Sequence, residues 1–148
     1  MTPIFVTGAQ TINGHNGDIF VLVGQGAFLG LSNNSFNFMV ALGHGQSVSL
    51  FPPGDTQETI VDLGQGTSIF VPDRSSLTIF DFGHDKTGHI TLRNAGFRDV
   101  AAAVESEVAD GHGCVIISSS VASVDFIGVR HVDASPIGVV NIRVWALF

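Results

Sequence analysis

The sequence predicts a mainly β protein: a parallel β-roll of about four coils, followed by a C-terminal cap that contains one helix. The first observation is a phrase that occurs four times, in which an apolar strand ends in Gly, then Gln or His, then Gly. The four copies contain Gly24-Gln25-Gly26, Gly43-His44-Gly45, Gly64-Gln65-Gly66 and the divergent Gly83-His84-Asp85. From copy to copy the first glycine advances by 19, 21 and 19 residues. A fixed period of this length indicates a repeat architecture.

Alternating apolar residues on both sides of each turn are the second observation. Phe38, Val40 and Leu42 precede one turn, and Val48 and Leu50 follow it. A period of two is typical of strands, and the glycines suit a tight turn with positive φ. Each repeat therefore predicts a strand, a tight turn, a second strand and a looser turn.

Two ways of stacking these units remain open. Parallel stacking makes each repeat one coil of a β-roll with a continuous core. Antiparallel folding makes the glycines hairpin loops and gives a β-sandwich or jelly roll. The phrase keeps one register through the chain, which favours the roll.

The chain of 148 residues predicts a single domain, 1–148, divided into a repeat roll over 1–92 and a cap over 93–148. Apolar residues at helical spacing, from Phe97 to Val108, predict a helix over 97–109. Further strands are expected near 114–118, 123–129 and 139–147. We expect the cap to hide the last strand edge of the roll.

The composition is unusually apolar. Hydrophobic residues make up 45% and charged residues 13%, with a mean hydropathy of +0.39. The longest apolar runs, 19–23 and 144–148, are far shorter than the roughly 20 residues of a membrane-spanning helix. The 12 Phe residues therefore predict a long core or contacts between copies of the chain.

Charge and cysteine content exclude several classes. A net charge of −7 with only six Lys and Arg argues against a nucleic-acid partner. The single cysteine, Cys114, cannot form an internal disulfide and is interpreted as a small core residue. The segment 1–5 lacks the basic start and apolar stretch of a secretory signal.

The chain resembles the repeats-in-toxin (RTX) proteins of bacteria. The resemblance rests on the repeat pattern and on the stretch 77–92, in which Asp81-Phe82-Gly83-His84-Asp85 is central. The Ala-rich segment opened by Phe97 and the segments 110–117 and 124–129 also resemble the C-terminal part of RTX rolls. The resemblance implies a calcium-binding roll, type I secretion by an uncleaved C-terminal signal, and an extracellular location.

The calcium turns of the family read Gly-Gly-x-Gly-x-Asp, because calcium prefers oxygen ligands. Here Ala27, Gln46 and Thr67 stand where an acid is expected. The candidate calcium residues are Asn16 and Asp18 in the first loop, with Asp55 and Asp85 in later turns. The alternative is that these are ordinary turn residues and that the apolar core alone holds the roll.

His84 and His89 flank a short turn, so they could face each other as ligands of a transition metal. The alternative interpretation is that both are exposed turn residues. Asp110, His112 and Cys114 alternate, which on a strand would place a nucleophile, a base and an acid on one face. A polar start to a strand explains this triplet more simply, so we expect no catalysis.

Three classes of function follow. The leading hypothesis is an extracellular bacterial structural protein that associates with itself or decorates a surface. The second is a binding module for calcium or a cell-surface polysaccharide, with Gln25, His44 and Gln65 forming a polar ladder. The third is a small hydrolase built on the Cys114 triplet.

Overall fold

The computed structural model describes residues 2–15, 17–32, 37–50, 56–72 and 75–140, and these residues form a parallel β-solenoid. The strands of the repeats are β1 Ile4–Val6, β2 Ala9–Asn13, β3 Ile19–Leu22, β4 Phe28–Ser32, β5 Phe38–Ala41, β6 Ser47–Leu50, β7 Thr56–Asp62, β8 Ser68–Pro72, β9 Ser75–Phe80 and β10 His89–Arg93. The later elements are a short 3-10 helix Phe82–His84, α1 Val100–Glu105, β11 Val108–Ala109, β12 Cys114–Ser118, β13 Ser123–Ile127 and β14 Ile137–Val140.

Successive strands alternate between two sheets. One sheet has eight strands in the order β1-β3-β5-β7-β9-β13-β12-β11, and the other has six in the order β14-β10-β8-β6-β4-β2. Every pair among β1 to β10 is parallel. The predicted β-roll is therefore confirmed, and the antiparallel sandwich is wrong for the repeats.

The glycine phrases form the turns that join the two sheets, and they stack on one another. The third residues, Gly26, Gly45 and Gly66, all have positive φ, between 63° and 71°. The Gly26 and Gly45 amides donate to the middle carbonyl of the next turn, at 2.8 and 2.9 Å. A Cβ on Gly64 would lie 2.2 Å from the Gly43 carbonyl oxygen. The turns are thus packed backbone on backbone, which is why glycine recurs at this period.

The core lies between the two sheets. Alternation sends every second side chain inward, as the pleat of a strand requires. Among the inward side chains that are at most 1% exposed are Phe20, Leu22, Met39, Ile60, Leu77 and Ile79 from the eight-stranded sheet and Leu29, Leu31, Val48, Leu50, Ile69 and Ile90 from the six-stranded sheet.

The C-terminal segment both lengthens the roll and covers one of its edges. β13 adds parallel to β9, and β14 adds parallel to β10, so that both sheets gain a strand. The rings of Phe82 and Phe126, 5.8 Å apart, join the last repeat to β13. β12 then pairs antiparallel with β13, and the two-residue β11 pairs with β12. The longer sheet therefore ends on a very short strand, which limits further pairing at that edge.

The helix is shorter than the sequence predicted. It spans six residues, and the Asp99 carboxylate caps its start by accepting from the Ala102 amide at 2.8 Å. Val108, which fits the helical period, instead pairs with Ile116 in the sheet. The predicted strands at 114–118 and 123–129 are confirmed. The third begins earlier, at Ile137, and its predicted remainder, with Trp145 and Phe148, lies outside the described residues.

Candidate interaction surface

The outward side of the eight-stranded sheet carries two in-register rows of apolar side chains beside the glycine turns. Strand pairing aligns the outward residues of β1, β3, β5, β7 and β9. Val23, Leu42 and Leu63 form a second row just beyond the strand ends, where their amides continue the hydrogen bonding of the sheet. We call the two rows together the apolar face. Its members are Phe5, Val21, Val23, Val40, Leu42, Val61, Leu63 and Phe80.

Five of these side chains are exposed to solvent, and the other three, Val21, Val40 and Val61, are half-buried. Phe5 is 60% exposed, Leu63 50%, Leu42 47%, Val23 40% and Phe80 38%. They account for more than half of the large hydrophobic side chains that are exposed among the described residues. The apolar face itself contains no charged residue. Contiguous apolar surface of this kind is typical of interaction sites.

A polar column, buried at Asn37 and Glu58 and half-buried at Asp18, runs along the inward side of the same sheet, at the start of the strands. It consists of Asp18, Asn37 and Glu58, which occupy equivalent positions in three coils. The Asp18 amide donates to Asn37 Oδ1 at 3.2 Å, and the Asn37 amide donates to Glu58 Oε2 at 2.8 Å. Burial raises the pKa of the Glu58 carboxyl to about 7, although the Asn37 amide opposes the shift.

A second buried carboxyl lies at the other end of β7. Asp62 Oδ1 accepts from the Thr67 hydroxyl at 2.8 Å and from the Gly64 amide at 3.2 Å. Burial raises the pKa of Asp62 to about 7, and the neighbouring Asp85 carboxylate adds to the effect. The raised pKa favours the protonated form of Asp62, so the two acidic side chains next to the stacked turns titrate as a coupled pair.

Asp85, a predicted calcium residue, acts in the structure as a cap for the turn of the coil before it. Its two oxygens accept from the Gly66 amide at 2.8 Å and the Thr67 amide at 3.0 Å. Burial works to raise the pKa of Asp85, but hydrogen bonds from Asp62 and from these amides outweigh it and hold the pKa below the usual value. Both carboxylate oxygens of Asp85 thus already accept hydrogen bonds from backbone N–H groups.

The other predicted calcium residues are not brought together with Asp85. Asp18 Oδ2 accepts from the His15 amide at 2.8 Å, which closes a local turn. Asn16 and Asp55 lie outside the described residues. Among the residues that the structure describes, no group of three or more His, Cys, Asp or Glu side chains could hold a metal ion. Calcium binding stays a prediction.

The two histidines proposed for a transition metal have different surroundings. His84 is exposed, and its Nδ1 hydrogen-bonds to the Asp81 carbonyl within the 3-10 turn. His89 is half-buried on the outward side of the six-stranded sheet. A Cβ on Gly138 would lie 3.0 Å from His89 Nε2, so the ring sits over β14. Each ring thus has its own local environment.

The Asp110, His112 and Cys114 triplet forms a turn, and its expected placement on one strand face is wrong. Gly111 and Gly113 have positive φ, and β12 begins only at Cys114. Asp110 Oδ1 accepts from the His112 and Cys114 amides, at 2.7 and 3.1 Å. Burial raises the pKa of the Cys114 thiol, and the charge of Asp110 adds to the effect. A raised pKa is the reverse of what an activated thiol needs.

The polar ladder of the turns exists in part. Residues 44 and 65 pair in parallel register, and Gln65 Nε2 donates to the His84 carbonyl at 3.3 Å. The sequence reasoning missed the buried residues Asn37, Glu58 and Asp62. The alternation around Ile60 was the available signal, since it sends Glu58 and Asp62 inward together with this core residue.

Comparisons of the chain with protein-family models, curated proteins and solved structures found no match. The RTX resemblance therefore stays a prediction from the motifs. Within the described ranges, no helix is long and apolar enough to cross a membrane. Arguments about function rest on the surfaces of the roll itself.

Proposed function

We propose that this chain is a structural interaction protein that associates with copies of itself through the apolar face. The observation that carries the proposal is the alignment of eight outward apolar side chains across five parallel strands. Two flat sheet faces can pack against each other at about 10 Å, as in a β-sandwich. The same patch on both copies gives a self-complementary contact.

The area of the apolar face is sufficient only for a weak contact. Five strands about 4.8 Å apart, with about four residues of about 3.3 Å each, give the apolar face roughly 320 Å². Two copies would bury about 640 Å², which is below the usual range for a stable specific interface. We therefore expect weak, reversible association and not an obligate dimer.

Charge supports a contact through this face over one through other surfaces. The chain carries a net charge of −7, so random approach of two copies is repulsive. The apolar face has no charged residue, so burying it between two copies leaves no charge without a partner. The extracellular location implied by the RTX resemblance is part of the proposal and is compatible with a surface or matrix role.

Sedimentation velocity tests the proposal. The wild-type chain is measured from about 1 to about 100 µM, which covers binding free energies of about −8 to −5 kcal/mol. The test variant is Leu42→Lys. The matched control is Ser47→Lys, which adds the same charge to the outward side of β6 in the other sheet.

We expect the wild type and Ser47→Lys to show a sedimentation coefficient that rises with concentration. Leu42→Lys should weaken association at least about tenfold, because it places an ammonium group in an apolar contact. A wild type that stays monomeric over the whole range would overturn the proposal. Equal association of the two variants would move the contact to another surface.

A further inference from the structure

The first coil leaves one strand edge open in each sheet. β1 ends the eight-stranded sheet and β2 ends the six-stranded sheet, so neither has a partner on its outer side among the described residues. With five residues, β2 is the longest of the strands that end the two sheets in the described part of the chain. It contains neither a charged residue nor a proline, and most of it is exposed. Charges and prolines are the features that usually block an edge, so this edge is open to another strand.

The hydrogen bonds between β2 and β4 show which backbone groups of β2 face the open side. The Gly8 carbonyl, just before β2, accepts from the Phe28 amide of β4 at 3.0 Å. Alternate residues of a parallel strand direct their N–H and C=O groups to opposite neighbours. Even-numbered residues of β2 therefore hydrogen-bond to β4. The N–H and C=O groups of Ala9 and Thr11 point away from the sheet, where the described residues offer them no partner.

The same rule applies to the three residues of β1. The Val6 carbonyl accepts from the Val23 amide at 3.0 Å, so Val6 faces β3. The backbone groups of Phe5, one residue earlier, therefore face the open edge of the eight-stranded sheet. Each sheet thus presents unpaired donors and acceptors on the same end of the roll.

The midpoints of the two open edges lie opposite each other across the core. Phe5 pairs with Val21 in one sheet, and Gln10 pairs with Leu29 in the other. Val21 and Leu29 lie four residues before and four residues after Gln25, the middle residue of the turn that joins their strands. A two-fold axis perpendicular to the sheets therefore passes close to both Phe5 and Gln10. Such an axis sets β1 against β1 and β2 against β2 of a second copy, both antiparallel, so one symmetry operation covers both edges.

An antiparallel pair centred on Gln10 uses the free backbone groups of β2. It aligns Ala9 of each copy with Thr11 of the other, and each of these pairs exchanges two hydrogen bonds. The two Gln10 residues then face each other, and their side-chain amides can donate and accept reciprocally. This pairing also accounts for a polar residue at an inward position, in register with the fully buried Leu29. We propose that two copies of the chain join through β1 and β2 about this axis.

Charge and area are compatible with a second copy as the partner. Neither β1 nor β2 contains a charged residue, so the contact brings no like charges together although the chain carries −7. Joining β1 to β1 also sets two apolar faces side by side in one continuous sheet. Two such pairs, packed face to face, would bury about 1,300 Å², which is within the range of specific interfaces. This last role rests on the proposed function, whereas the edge pairing does not.

Disulfide trapping of the full chain tests the edge pairing. The test variant is Gln10→Cys in a Cys114→Ser background, oxidised with glutathione disulfide and resolved by non-reducing electrophoresis. Across the axis, the two Cα atoms of a pair that faces itself lie about 4.5 Å apart, within the reach of a disulfide. Thr11→Cys in the same background is the matched control, because the two Thr11 residues would lie about 8 Å apart. We expect Gln10→Cys to form the covalent dimer at least about tenfold faster.

Two additions to the Gln10→Cys chain separate the edge from the apolar face. Thr11→Pro removes an N–H group from the open edge but none from the ladder to β4, so it should slow the crosslink at least about tenfold. Leu42→Lys lies beyond the end of β5, two strands in from the edge, and should leave the crosslinking rate unaltered. Circular dichroism checks that each variant is folded.

Equal crosslinking of Gln10→Cys and Thr11→Cys, or faster crosslinking of Thr11→Cys, would overturn the proposal, and this comparison does not depend on the proline variant. An unaltered rate in folded Thr11→Pro would overturn it as well. Loss of the crosslink in Leu42→Lys would assign the contact to the apolar face instead. A crosslink that persists in Leu42→Lys supports the edge pairing even if the apolar face does not self-associate.

Discussion

The outward sides of the two sheets differ, although they belong to the same repeats and share one core. Beside the glycine turns, the eight-stranded sheet presents Val40 and Val61, with Leu42 and Leu63 beyond the strand ends. The equivalent row of the six-stranded sheet reads Ala9, Phe28, Ser47, Ser68 and His89. Its next outward row reads Thr11, Gly30, Ser49, Phe70 and Thr91, and Gly30 and Ser49 are buried despite facing outward.

This difference means that the residues that stabilise the fold and the residues of the proposed interaction surface are two separate sets. Most inward residues of both sheets are apolar and buried, so the core of the coil does not depend on the outward side chains. Their chemistry is therefore free to vary. One side is apolar across five strands, and an apolar sheet surface exposed to water is unfavourable unless it is covered. We interpret the apolar face as the functional side.

The largest expected effect on stability comes from a substitution in the glycine turns, which keep the outward sides of both sheets in register. Gly64→Ala would place a Cβ 2.2 Å from the Gly43 carbonyl oxygen, in backbone and not in a side chain that could move. We expect a loss of at least about 3 kcal/mol in the free energy of unfolding, or failure to fold. Urea denaturation followed by circular dichroism measures it.

Gly8→Ala is the control, because a Cβ at Gly8 meets nothing within 4 Å. Its free energy of unfolding should stay within about 1 kcal/mol of the wild type. If Gly64→Ala is equally well tolerated, the backbone stacking of the turns does not hold the roll.

Substitutions at two neighbouring residues on β7 compare the inward side of the sheet directly with its outward side. Ile60 is fully buried and Val61 faces outward. Ile60→Ala should cost about 2–5 kcal/mol of stability because it leaves a cavity. Val61→Ala should cost less than about 1 kcal/mol but should weaken self-association. Denaturant titration and sedimentation of both variants check the two effects, and a reversed order would contradict the inward register.

A smaller effect is expected from the carboxyl pair under the turns. A group whose pKa is raised in the folded state holds its proton more tightly there than in the unfolded chain. Asp62, with a pKa of about 7, therefore stabilises the fold below pH 4, and this contribution is lost as the pH rises towards 7. Asp62→Asn should raise the Tm at pH 8 and raise it less at pH 5, because the amide can donate to Asp85 without titrating.

The control for this change is Glu105→Gln, which removes an exposed carboxylate at the end of α1. It should leave the difference in Tm between pH 5 and pH 8 as in the wild type. If Asp62→Asn lowers the Tm at pH 8, the titration of Asp62 is not the source of the pH dependence.

The repeat could be predicted from the sequence because residues close together in the chain determine the geometry of each coil of a solenoid. The glycine turns, the period and the inward alternation around Val48 and Leu50 all come from neighbouring residues. The C-terminal topology could not be predicted in the same way. Leu77 pairs with Val124, 47 residues away, and no local pattern reports that contact. The helix was overextended because Val108 fits the helical period but gains a strand partner in Ile116.

The candidate surfaces were only partly visible in the sequence. Exposed Phe residues were expected, and Phe5, Phe38 and Phe80 are exposed on the eight-stranded sheet. Which of the two sheets would carry them depends on the register, which a single sequence leaves open. The buried carboxyls of Glu58 and Asp62 were missed because charged residues normally indicate the solvent side of a strand.

The most direct test of the central claim is a distance between copies of the chain. A nitroxide label is placed at Val61→Cys in a Cys114→Ser background, and dipolar spectroscopy is recorded on the associated protein. A label at Ser68→Cys, on the outward side of the other sheet, is the comparison. If the apolar faces pack together, the Val61 labels lie close to one sheet spacing of about 10 Å plus their linkers, and the Ser68 labels lie about three spacings apart. A shorter distance for Ser68 than for Val61 would contradict the account.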